Sequence, residues 1–398
     1  MKLSKRVSLI KPSPTLALEA LAKAMKKDGI DVVSFSAGEP DFDTPDGIKN
    51  AAISAINDGF TKYTPSSGII ELRNSVAEKL AKHNGLSYKP EEILISCGAK
   101  HSLYNLSMAL FEEGDEVIIP SPYWVTYPEQ ILLCGAKPVI AGTSEDEGFL
   151  LKPEILERLI TEKTRGLILN SPSNPVGSAY DRKHLEKIAE IAVRHNIYVI
   201  SDEIYEGIVY DGFKHISIAS LNRDIFKLTI VINGVSKSYA MTGWRIGYAA
   251  GPQDIIEAMG NIQSQSTSNP TSIAQKAALE ALSGRYEDFI SSMVERFDKR
   301  RHYIVNRLRG IPGVSCFMPV GSFYVFPNIS GILGRKFNNS VLDSSVKLAE
   351  YFLNEAKVAA VPGDAFGAPG FMRLSFATSM DNIEKGLDRL ESAIKQLV

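Results

Sequence analysis

Seven short apolar runs, separated by longer amphipathic segments, dominate the sequence between residues 93 and 250. The runs are 93–96, 116–120, 138–141, 166–170, 198–202, 228–232 and 246–250. Runs this short and this apolar are typical of strands that are covered on both faces. In the segment 181–195 the apolar residues recur at helical spacing, and Asp181 stands where a helix N-cap is expected. This alternation predicts an α/β fold in which a mainly parallel, seven-stranded sheet lies between helices, with right-handed crossovers.

After about residue 252 the pattern changes to long helices mixed with a few short strands. The predicted elements are helices within 252–309 (broken near residues 270 and 284), at 344–356 and at 380–397, and strands at 322–326 and 372–375. The beginning of the chain, with a predicted helix at 14–27 and a strand at 31–36, is expected to pack with this region. Together these segments predict a smaller α+β domain.

Charge, cysteine content and apolar stretches narrow the choice of partners and compartment. The chain of 398 residues has 44 Lys and Arg against 46 Asp and Glu, a net charge of −2, which argues against a surface built for nucleic acid. The apolar stretches near the N-terminus are too short for a signal peptide, and the uncharged stretch 310–334 contains three prolines, so it cannot be one membrane helix. The three cysteines form no Cys-x-x-Cys pair, and the six histidines show no metal-ligand spacing. We therefore expect a cytoplasmic protein without a metal ion, a nucleic-acid partner or a membrane partner.

Polar residues follow several predicted strands at the edge where an open α/β sheet binds its ligands. Asp202 ends a buried strand, and Lys237 comes about one crossover later. Both are costly to bury alone, so they either form an ion pair or flank a cofactor. A buried lysine that loses its proton can form a Schiff base, and pyridoxal phosphate needs such a lysine, an acidic partner for its ring nitrogen and a phosphate cradle. A helix that begins with Gly98 and Ala99 can offer backbone N–H groups to that phosphate.

Nine short motifs occur in a fixed order and include these residues. They are Ala37-Gly38-Glu39-Pro40-Asp41-Phe42, Tyr63-Thr64, Gly98-Ala99-Lys100, Pro122-Tyr123-Trp124, Asn174-Pro175-Val176-Gly177, Ser201-Asp202-Glu203-Ile204-Tyr205, Ser236-Lys237, Gly243-Trp244-Arg245-Ile246-Gly247 and Arg373-Leu374-Ser375. Through this set, which covers the chain from about residue 11 onward, the sequence resembles the class I, fold-type I pyridoxal-phosphate aminotransferases. Within that family it resembles the aspartate aminotransferase branch found in many bacteria and plants.

The resemblance implies a role for each residue that faces the cofactor ring. Lys237 would bind the cofactor covalently and move the substrate α-proton, and Asp202 would hold the ring nitrogen protonated. Tyr205 and Asn174 would donate hydrogen bonds to the phenolic oxygen of the ring. Trp124 would stack on the ring face.

The resemblance also implies how the phosphate is held. Arg245 and the backbone of Ala99 and Lys100 would bind it, and Tyr63 would reach the phosphate of a neighbouring subunit. That last contact implies a homodimer with two shared active sites.

One position departs from the family pattern. Many relatives carry a hydroxyl residue three positions before the Schiff-base lysine, where this chain has Gly234. Ser236 or Ser238 would then supply the missing donor to the phosphate.

The substrate contacts implied by the resemblance come from distant parts of the chain. Arg373 would clamp the α-carboxylate, and the backbone of Gly38 would contact the same group. In the animal-type branch an arginine of the other subunit binds the second carboxylate, and the corresponding stretch here, 264–269, has no arginine. The branch that this chain resembles uses the lysine after the phosphate-cradle glycine instead, so the resemblance implies that Lys100 binds the second carboxylate. The segment 11–15 would close over the substrate. Because Gly38 and Arg373 come from opposite ends of the chain, we expect a large domain over 46–283 and a discontinuous small domain over 1–45 and 284–398.

The resemblance implies a ping-pong aminotransferase that acts on aspartate and 2-oxoglutarate and releases oxaloacetate and glutamate. The nearest alternatives keep the cofactor: a prephenate, aromatic or branched-chain aminotransferase, or a carbon–sulfur lyase, all of which the fold can host. Trp124 and Lys100 favour a dicarboxylate. A transcription regulator with an aminotransferase-like body is not expected, since only about ten residues precede the matching region.

Overall fold

A computed structural model describes residues 3–12 and 14–398 of the chain; Ser13, in the predicted closing segment, lies outside them. The α-helices of the described part are α1 (Pro14–Lys27), α2 (Asp46–Asn57), α3 (Ile70–Lys79), α4 (Ala99–Leu110), α5 (Thr126–Leu133), α6 (Pro153–Leu159), α7 (Arg182–His195), α8 (Arg223–Leu228), α9 (Gln253–Ser266), α10 (Ser272–Ala281), α11 (Glu287–Arg309), α12 (Ser345–Tyr351) and α13 (Met380–Lys395). Over residues 3–12 and 14–398, none of the helices combines the length and the apolar character needed to cross a membrane. The expected cytoplasmic location stays a prediction.

In the part of the chain that the structure describes, the strands form one large sheet and three small ones. They are β1 (Val33–Ser34), β2 (Ile93–Ser96), β3 (Glu116–Ser121), β4 (Lys137–Gly142), β5 (Thr164–Asn170), β6 (Tyr198–Asp202), β7 (Thr229–Gly234), β8 (Gly247–Ala250), β9 (Tyr324–Val325), β10 (Lys336–Phe337), β11 (Ser340–Val341), β12 (Val358–Ala359), β13 (Val361–Pro362) and β14 (Met372–Ser375). The large sheet has seven strands in the order β2-β8-β7-β6-β5-β3-β4. Strands β4, β3, β5, β6 and β7 are parallel, and β8 runs antiparallel to both of its neighbours. The predicted α/β fold with a mainly parallel sheet is confirmed.

The register of the central strands brings their polar ends together. Asn170 at the end of β5 pairs with Asp202 at the end of β6, and Asp202 pairs with Ile232 of β7. Because parallel strands share one carboxyl edge, the residues that follow β5, β6 and β7 converge on one point beyond the sheet. Each predicted strand of this sheet overlaps an observed one, and Asp181 caps α7 by accepting the backbone N–H of His184 at 2.8 Å.

Two predicted strands outside the large sheet are shorter than expected. The strand predicted at 31–36 is limited to β1, because its partner β12 offers only two residues for pairing and Phe35 then accepts a hydrogen bond from Ser375. The strand predicted at 322–326 is limited to β9, because Ser322 has a φ of 59°, in the left-handed region that a strand does not use.

The two ends of the chain pack against each other away from the large sheet. One apolar cluster joins Val33 and Phe35 to Phe297 of α11, Leu374 of β14 and Leu390 of α13, and it also includes side chains that follow β6. Strands β13, β14 and β9 form an antiparallel sheet beside it. This packing supports a discontinuous small domain, and the boundaries 46–283 and 1–45 with 284–398 stay a prediction.

Candidate active site

A cavity of about 450 Å³ lies beyond the carboxyl ends of β5, β6 and β7. Its lining includes the following residues singled out from the sequence: Gly38, Ala99, Lys100, Trp124, Asn174, Asp202, Tyr205, Ser236, Lys237, Arg245 and Arg373. Tyr63 does not line it and is 90% exposed. The fold therefore gathers in one place residues that span more than 330 positions of sequence.

Lys237 follows β7 and projects its amine into the cavity. Its Nζ donates a hydrogen bond to the backbone oxygen of Gly38 at 2.6 Å and lies 5.7 Å from the ring centroid of Tyr205. Burial lowers the pKa of Lys237 to about 8, and the charges of Arg245 and Arg373 act in the same direction. A share of this amine is therefore unprotonated near neutral pH, which a nucleophilic lysine requires.

Asp202, the last residue of β6, is a buried carboxylate, and no cationic side chain of residues 3–12 and 14–398 is bonded to it. Its Oδ2 accepts the hydroxyl of Tyr127 at 2.7 Å, and its Oδ1 accepts the backbone N–H of Ile204 at 3.3 Å. Burial raises the pKa of Asp202 to about 6, against which the Tyr127 hydrogen bond acts. No hydrogen bond or ion pair joins Lys237 to Asp202 among the residues that the structure describes, although the charge of each acts on the pKa of the other. Asp202 is thus a buried negative charge that faces the cavity.

The turn from β2 into α4 forms an anion cradle. Gly98 has a φ of 92°, and a Cβ at this residue would collide with the guanidinium of Arg245; a Cβ at Gly247 would collide with the backbone of Ala99. Neither position 98 nor position 247 therefore has room for a side chain. The first N–H groups of α4 have no acceptor within the helix, and together with Arg245, whose Nη1 donates to the Thr242 oxygen at 2.8 Å, they can bind a phosphate.

The structure explains why a glycine stands at position 234. A Cβ at Gly234 would lie 2.9 Å from the Cα of Gly247 and 3.0 Å from the oxygen of Ile246, so a hydroxyl residue would push β8 away. Ser236 lines the cavity. Ser238 does not line it, and its Oγ instead lies 2.7 Å from the place where Gly207 would carry a Cβ. Of the two serines proposed from the sequence, Ser236 is the one near the cradle.

Arg373 on β14 is a buried guanidinium, 3% exposed, held by several fixed contacts. Its Nη1 donates to Asn174 Oδ1 at 3.0 Å, and its Nη2 donates to the Ser36 oxygen at 2.9 Å. Its Nε has no hydrogen-bond partner among the residues that the structure describes. Burial lowers the pKa of Arg373, yet an arginine stays charged in a protein. A fixed planar cation with a free donor is suited to bind a carboxylate.

Lys100 supplies a second cation close to Trp124. Its Nζ lies 4.8 Å from the centroid of the Trp124 ring. Loss of water around the ammonium group, and then the charge of Arg245, lower the pKa of Lys100. Trp124 itself meets Tyr127 edge to face, with the ring centroids 5.4 Å apart. The cavity thus combines four cationic side chains: Lys100, Lys237, Arg245 and Arg373.

Comparison with known proteins places the chain in a family. The model of the family "Aminotransferase class I and II" matches residues 30–390. The chain belongs to this family. The aminotransferase is 49% identical over 396 residues, the full length of both chains, to the aspartate aminotransferase of Bacillus subtilis. It is 48% identical, over 99% of both chains, to a probable aspartate/prephenate aminotransferase of Aquifex aeolicus.

Among solved structures, the aspartate aminotransferase of Thermus thermophilus with maleate superposes with a TM-score of 0.93 at 44% identity, over 99% of this chain and 100% of that one. The resemblance inferred from the motifs is confirmed.

Several side chains of the aminotransferase cavity were not singled out from its sequence as site residues. They are Glu39, Tyr127, Asn170 and Tyr324, together with Leu16, Glu19 and Lys23 of α1. Tyr127 lies in the first turn of α5, three residues after Trp124, and its ring meets the Trp124 ring edge to face. No sequence pattern indicates Tyr324, because its position depends on the pairing of β9 with β14. Thr15 of the predicted closing segment also lines the cavity.

Proposed function

We propose that this aminotransferase uses pyridoxal phosphate and exchanges the amino group between aspartate and 2-oxoglutarate. The observation that carries the proposal is the cavity, in which a lysine of lowered pKa and a buried carboxylate lie between an anion cradle and a buried arginine. The proposal includes the roles that the family resemblance implies for the cavity residues, above all Lys237, Asp202 and Arg373.

The residues present fit the cofactor. The cradle at Gly98 and Gly247 leaves room only for backbone, as a tightly held phosphate needs, and Asp202 presents a buried negative charge to a protonated ring nitrogen. Trp124 offers an aromatic face within the same cavity. Pyridoxal phosphate, when bound, supplies an electron sink that stabilises the negative charge left on the substrate when its α-proton departs.

The side chains of this chain divide the remaining work. Arg373 binds the α-carboxylate and orients the substrate. Lys237 accepts the proton from the substrate Cα at Nζ, since its lowered pKa favours the free amine. Asp202 holds the proton on the ring nitrogen. Asn174, whose Oδ1 is occupied by Arg373, keeps its NH₂ group as a donor for the phenolic oxygen of the ring.

A hydrogen-bond chain supports this arrangement from behind. Asn170 Oδ1 accepts the backbone N–H of Asn174 at 2.8 Å, and Asn170 Nδ2 donates to the backbone oxygen of Asp202 at 2.9 Å. The carboxylate clamp and the ring-nitrogen partner are therefore connected through β5 and β6. Such a chain fixes distances between groups that must act on one small molecule.

The position of Lys100 favours a dicarboxylate substrate. Its ammonium group lines the same cavity as Arg373, so the two cations can hold two carboxylates of one molecule. Relatives named for aspartate or for aspartate/prephenate support this substrate class, and the Thermus thermophilus relative was solved with maleate, itself a dicarboxylate. Prephenate, which also carries two carboxylates, is the second candidate amino acceptor.

Lys100→Ala tests this assignment. Because the substitution keeps the backbone of the phosphate cradle, we expect kcat/KM for aspartate to fall about 50-fold, the cost of one charge-assisted hydrogen bond. For phenylalanine, which has no second carboxylate, the loss is expected to stay below about threefold. Steady-state assays with 2-oxoglutarate as acceptor measure both. Lys276→Ala, which removes a lysine paired with Glu71 outside the cavity, is the control. Equal losses with both amino acids would remove Lys100 from the distal site.

We also propose that the enzyme is a homodimer with shared active sites. A tyrosine that is 90% exposed, as Tyr63 is, has a large apolar ring in water unless another surface covers it. The family resemblance implies that this residue reaches the phosphate of the neighbouring subunit. Arg245, which is exposed at the cradle, marks the side from which such a residue would approach.

Co-expression of two defective subunits tests the shared site. Tyr63→Leu and Lys237→Ala homodimers are both expected to be nearly inactive. A hybrid dimer has one site with both substitutions and one with neither, so random assembly should restore about a quarter of the wild-type activity, since half of the dimers are hybrids with one intact site of two. Activity is measured in the mixture and in separately tagged, doubly purified hybrids, which should show about half of the wild-type activity because one of their two sites is intact. No recovery in purified hybrids would mean that Tyr63 acts within its own subunit, and a fully active Tyr63→Leu homodimer would mean that it has no role.

A further inference from the structure

We propose that Tyr324 is a positioning residue: its hydroxyl orients the hydroxyl of Tyr205, and its ring holds the plane of Arg373. This inference rests on the proposed function, because it assigns Tyr324 a part in holding both the cofactor and the substrate carboxylate. Tyr324 is 1% exposed, and its ring lines the active-site cavity.

The hydroxyl groups of Tyr324 and Tyr205 lie 3.1 Å apart. Burial raises the pKa of both, so each keeps its proton at neutral pH. Either hydroxyl could be the donor in this pair. Once the hydroxyl of Tyr205 donates into the cavity, its one proton is used, and Tyr324 must then be the donor to the Tyr205 oxygen. A hydroxyl that accepts one hydrogen bond becomes a stronger donor in the next.

The ring of Tyr324 lies against the guanidinium of Arg373. The Cζ of Arg373 is 4.4 Å from the ring centroid of Tyr324 and 5.0 Å from that of Phe366. Strands β9 and β14 create this contact, because Tyr324 pairs with Ser375, two residues along from Arg373. A buried cation held over an aromatic face is both stabilised and confined to one plane, which a carboxylate clamp needs.

The backbone of Gly38 lies next to the hydroxyl of Tyr324. A Cβ at Gly38 would lie 3.2 Å from the Tyr324 hydroxyl, and the Gly38 oxygen accepts the amine of Lys237. The charged groups that face the two tyrosines are Arg373, Lys237 and Asp202. Tyr324 therefore contacts Tyr205 and Arg373 directly. It also lies beside Gly38, whose backbone oxygen accepts the amine of Lys237.

Two variants separate the hydroxyl from the ring. Tyr324→Phe keeps the ring and removes the hydroxyl. In enzyme loaded with pyridoxal phosphate, we expect it to move the pH midpoint of the visible absorbance change upward by about half a unit, because Tyr205 then binds the phenolic oxygen less strongly. Its KM for aspartate should rise less than about threefold. Tyr324→Leu removes the ring as well, and its KM should rise about tenfold or more.

A double-variant comparison shows whether the hydroxyl acts through Tyr205. In a Tyr205→Phe background, Tyr324→Phe is expected to leave the pH midpoint unchanged. The same shift in both backgrounds, or no shift in either, would overturn the role of the hydroxyl, and equal KM values for the Phe and Leu variants would overturn the role of the ring. Circular dichroism of each variant identifies a folding failure, and Tyr324→Phe, the milder change, keeps the test open if the Leu variant does not fold.

Different measurements test the proposed function and the role of Tyr324. If wild-type protein bound no pyridoxal phosphate, the proposed function would be wrong. The tyrosine pair would then be judged from thermal unfolding of the cofactor-free protein with Tyr205→Phe, Tyr324→Phe and the double variant. Coupling between the two substitutions would support the hydroxyl pair, and additive effects would overturn it.

Discussion

Lys237→Ala is expected to lower the transamination rate about 10⁴-fold or more and to remove covalent attachment of the cofactor. Under the proposed function, the variant loses both the amine that would bond the cofactor and the base that would take the substrate α-proton, and a positioned base alone contributes about 10²–10⁴-fold. Added pyridoxal phosphate should still bind, since the cradle at Gly98 and Arg245 is intact. Borohydride reduction followed by mass spectrometry of the intact protein measures attachment, and a coupled assay with aspartate measures the rate.

Lys237→Arg is the matched control for the charge. It keeps a cation near the backbone oxygen of Gly38 but has no amine that can form a Schiff base. We expect it to be as inactive as Lys237→Ala. If the arginine variant kept more than about a tenth of the activity, Lys237 would act only as a charge, and the covalent role assigned to it would be wrong.

Asp202→Asn is expected to have the second largest effect, a loss of about 10³-fold in kcat with little change in cofactor attachment. An asparagine has nearly the same shape but cannot hold a proton on the ring nitrogen by its charge, so stabilisation of the developing negative charge is lost. Tyr127→Phe is the control, because it removes the 2.7 Å hydrogen bond and leaves the carboxylate in place. A loss below about tenfold is expected there. Similar losses in both variants would indicate that geometry, rather than the charge of Asp202, is decisive.

The raised pKa of Asp202 gives this prediction a pH signature. With a pKa of about 6 in the cofactor-free protein, the carboxyl group is charged above that value and gains a proton as the pH falls through it. The dissociation constant of pyridoxal phosphate should therefore rise more steeply between pH 7 and pH 5 in wild type than in Asp202→Asn. The titration of the phosphate itself contributes equally to both proteins. Identical pH profiles from equilibrium titration would contradict the assignment.

The site residues that could be predicted from the sequence are those that lie at the end of an apolar strand or at the start of a helix. The strand that ends at Asp202 could be predicted because a fully covered strand is almost wholly apolar, and its carboxyl end had to face a ligand site. The cradle at Gly98 could be predicted because a helix that begins after a glycine exposes N–H groups. Arg373, and the specific role of Lys237, were assigned through the resemblance, since nothing in the spacing of these residues shows that 136 positions of chain fold back to one cavity.

The residues that reasoning from the sequence missed depend on pairings between distant segments. Tyr324 reaches Arg373 only because β9 pairs with β14, and the shortness of β9 follows from the left-handed backbone at Ser322. The need for glycine at position 234 appears only once β8 lies against it. The contact of Tyr324 with Arg373 and that of Gly234 with β8 leave no periodic pattern in the sequence. Both depend on the register between paired strands, which the intervening turns determine.

The central claim is that Lys237 and its neighbours move the amino group of aspartate onto bound pyridoxal phosphate, and a half-reaction tests it most directly. Purified enzyme loaded with the cofactor is mixed with excess aspartate without an oxo acid, while absorbance and products are followed. We predict that the visible band disappears as one oxaloacetate per active site is released, and that 2-oxoglutarate restores the band with formation of glutamate. A band that aspartate leaves unchanged, or one that disappears without stoichiometric oxaloacetate, would contradict the account.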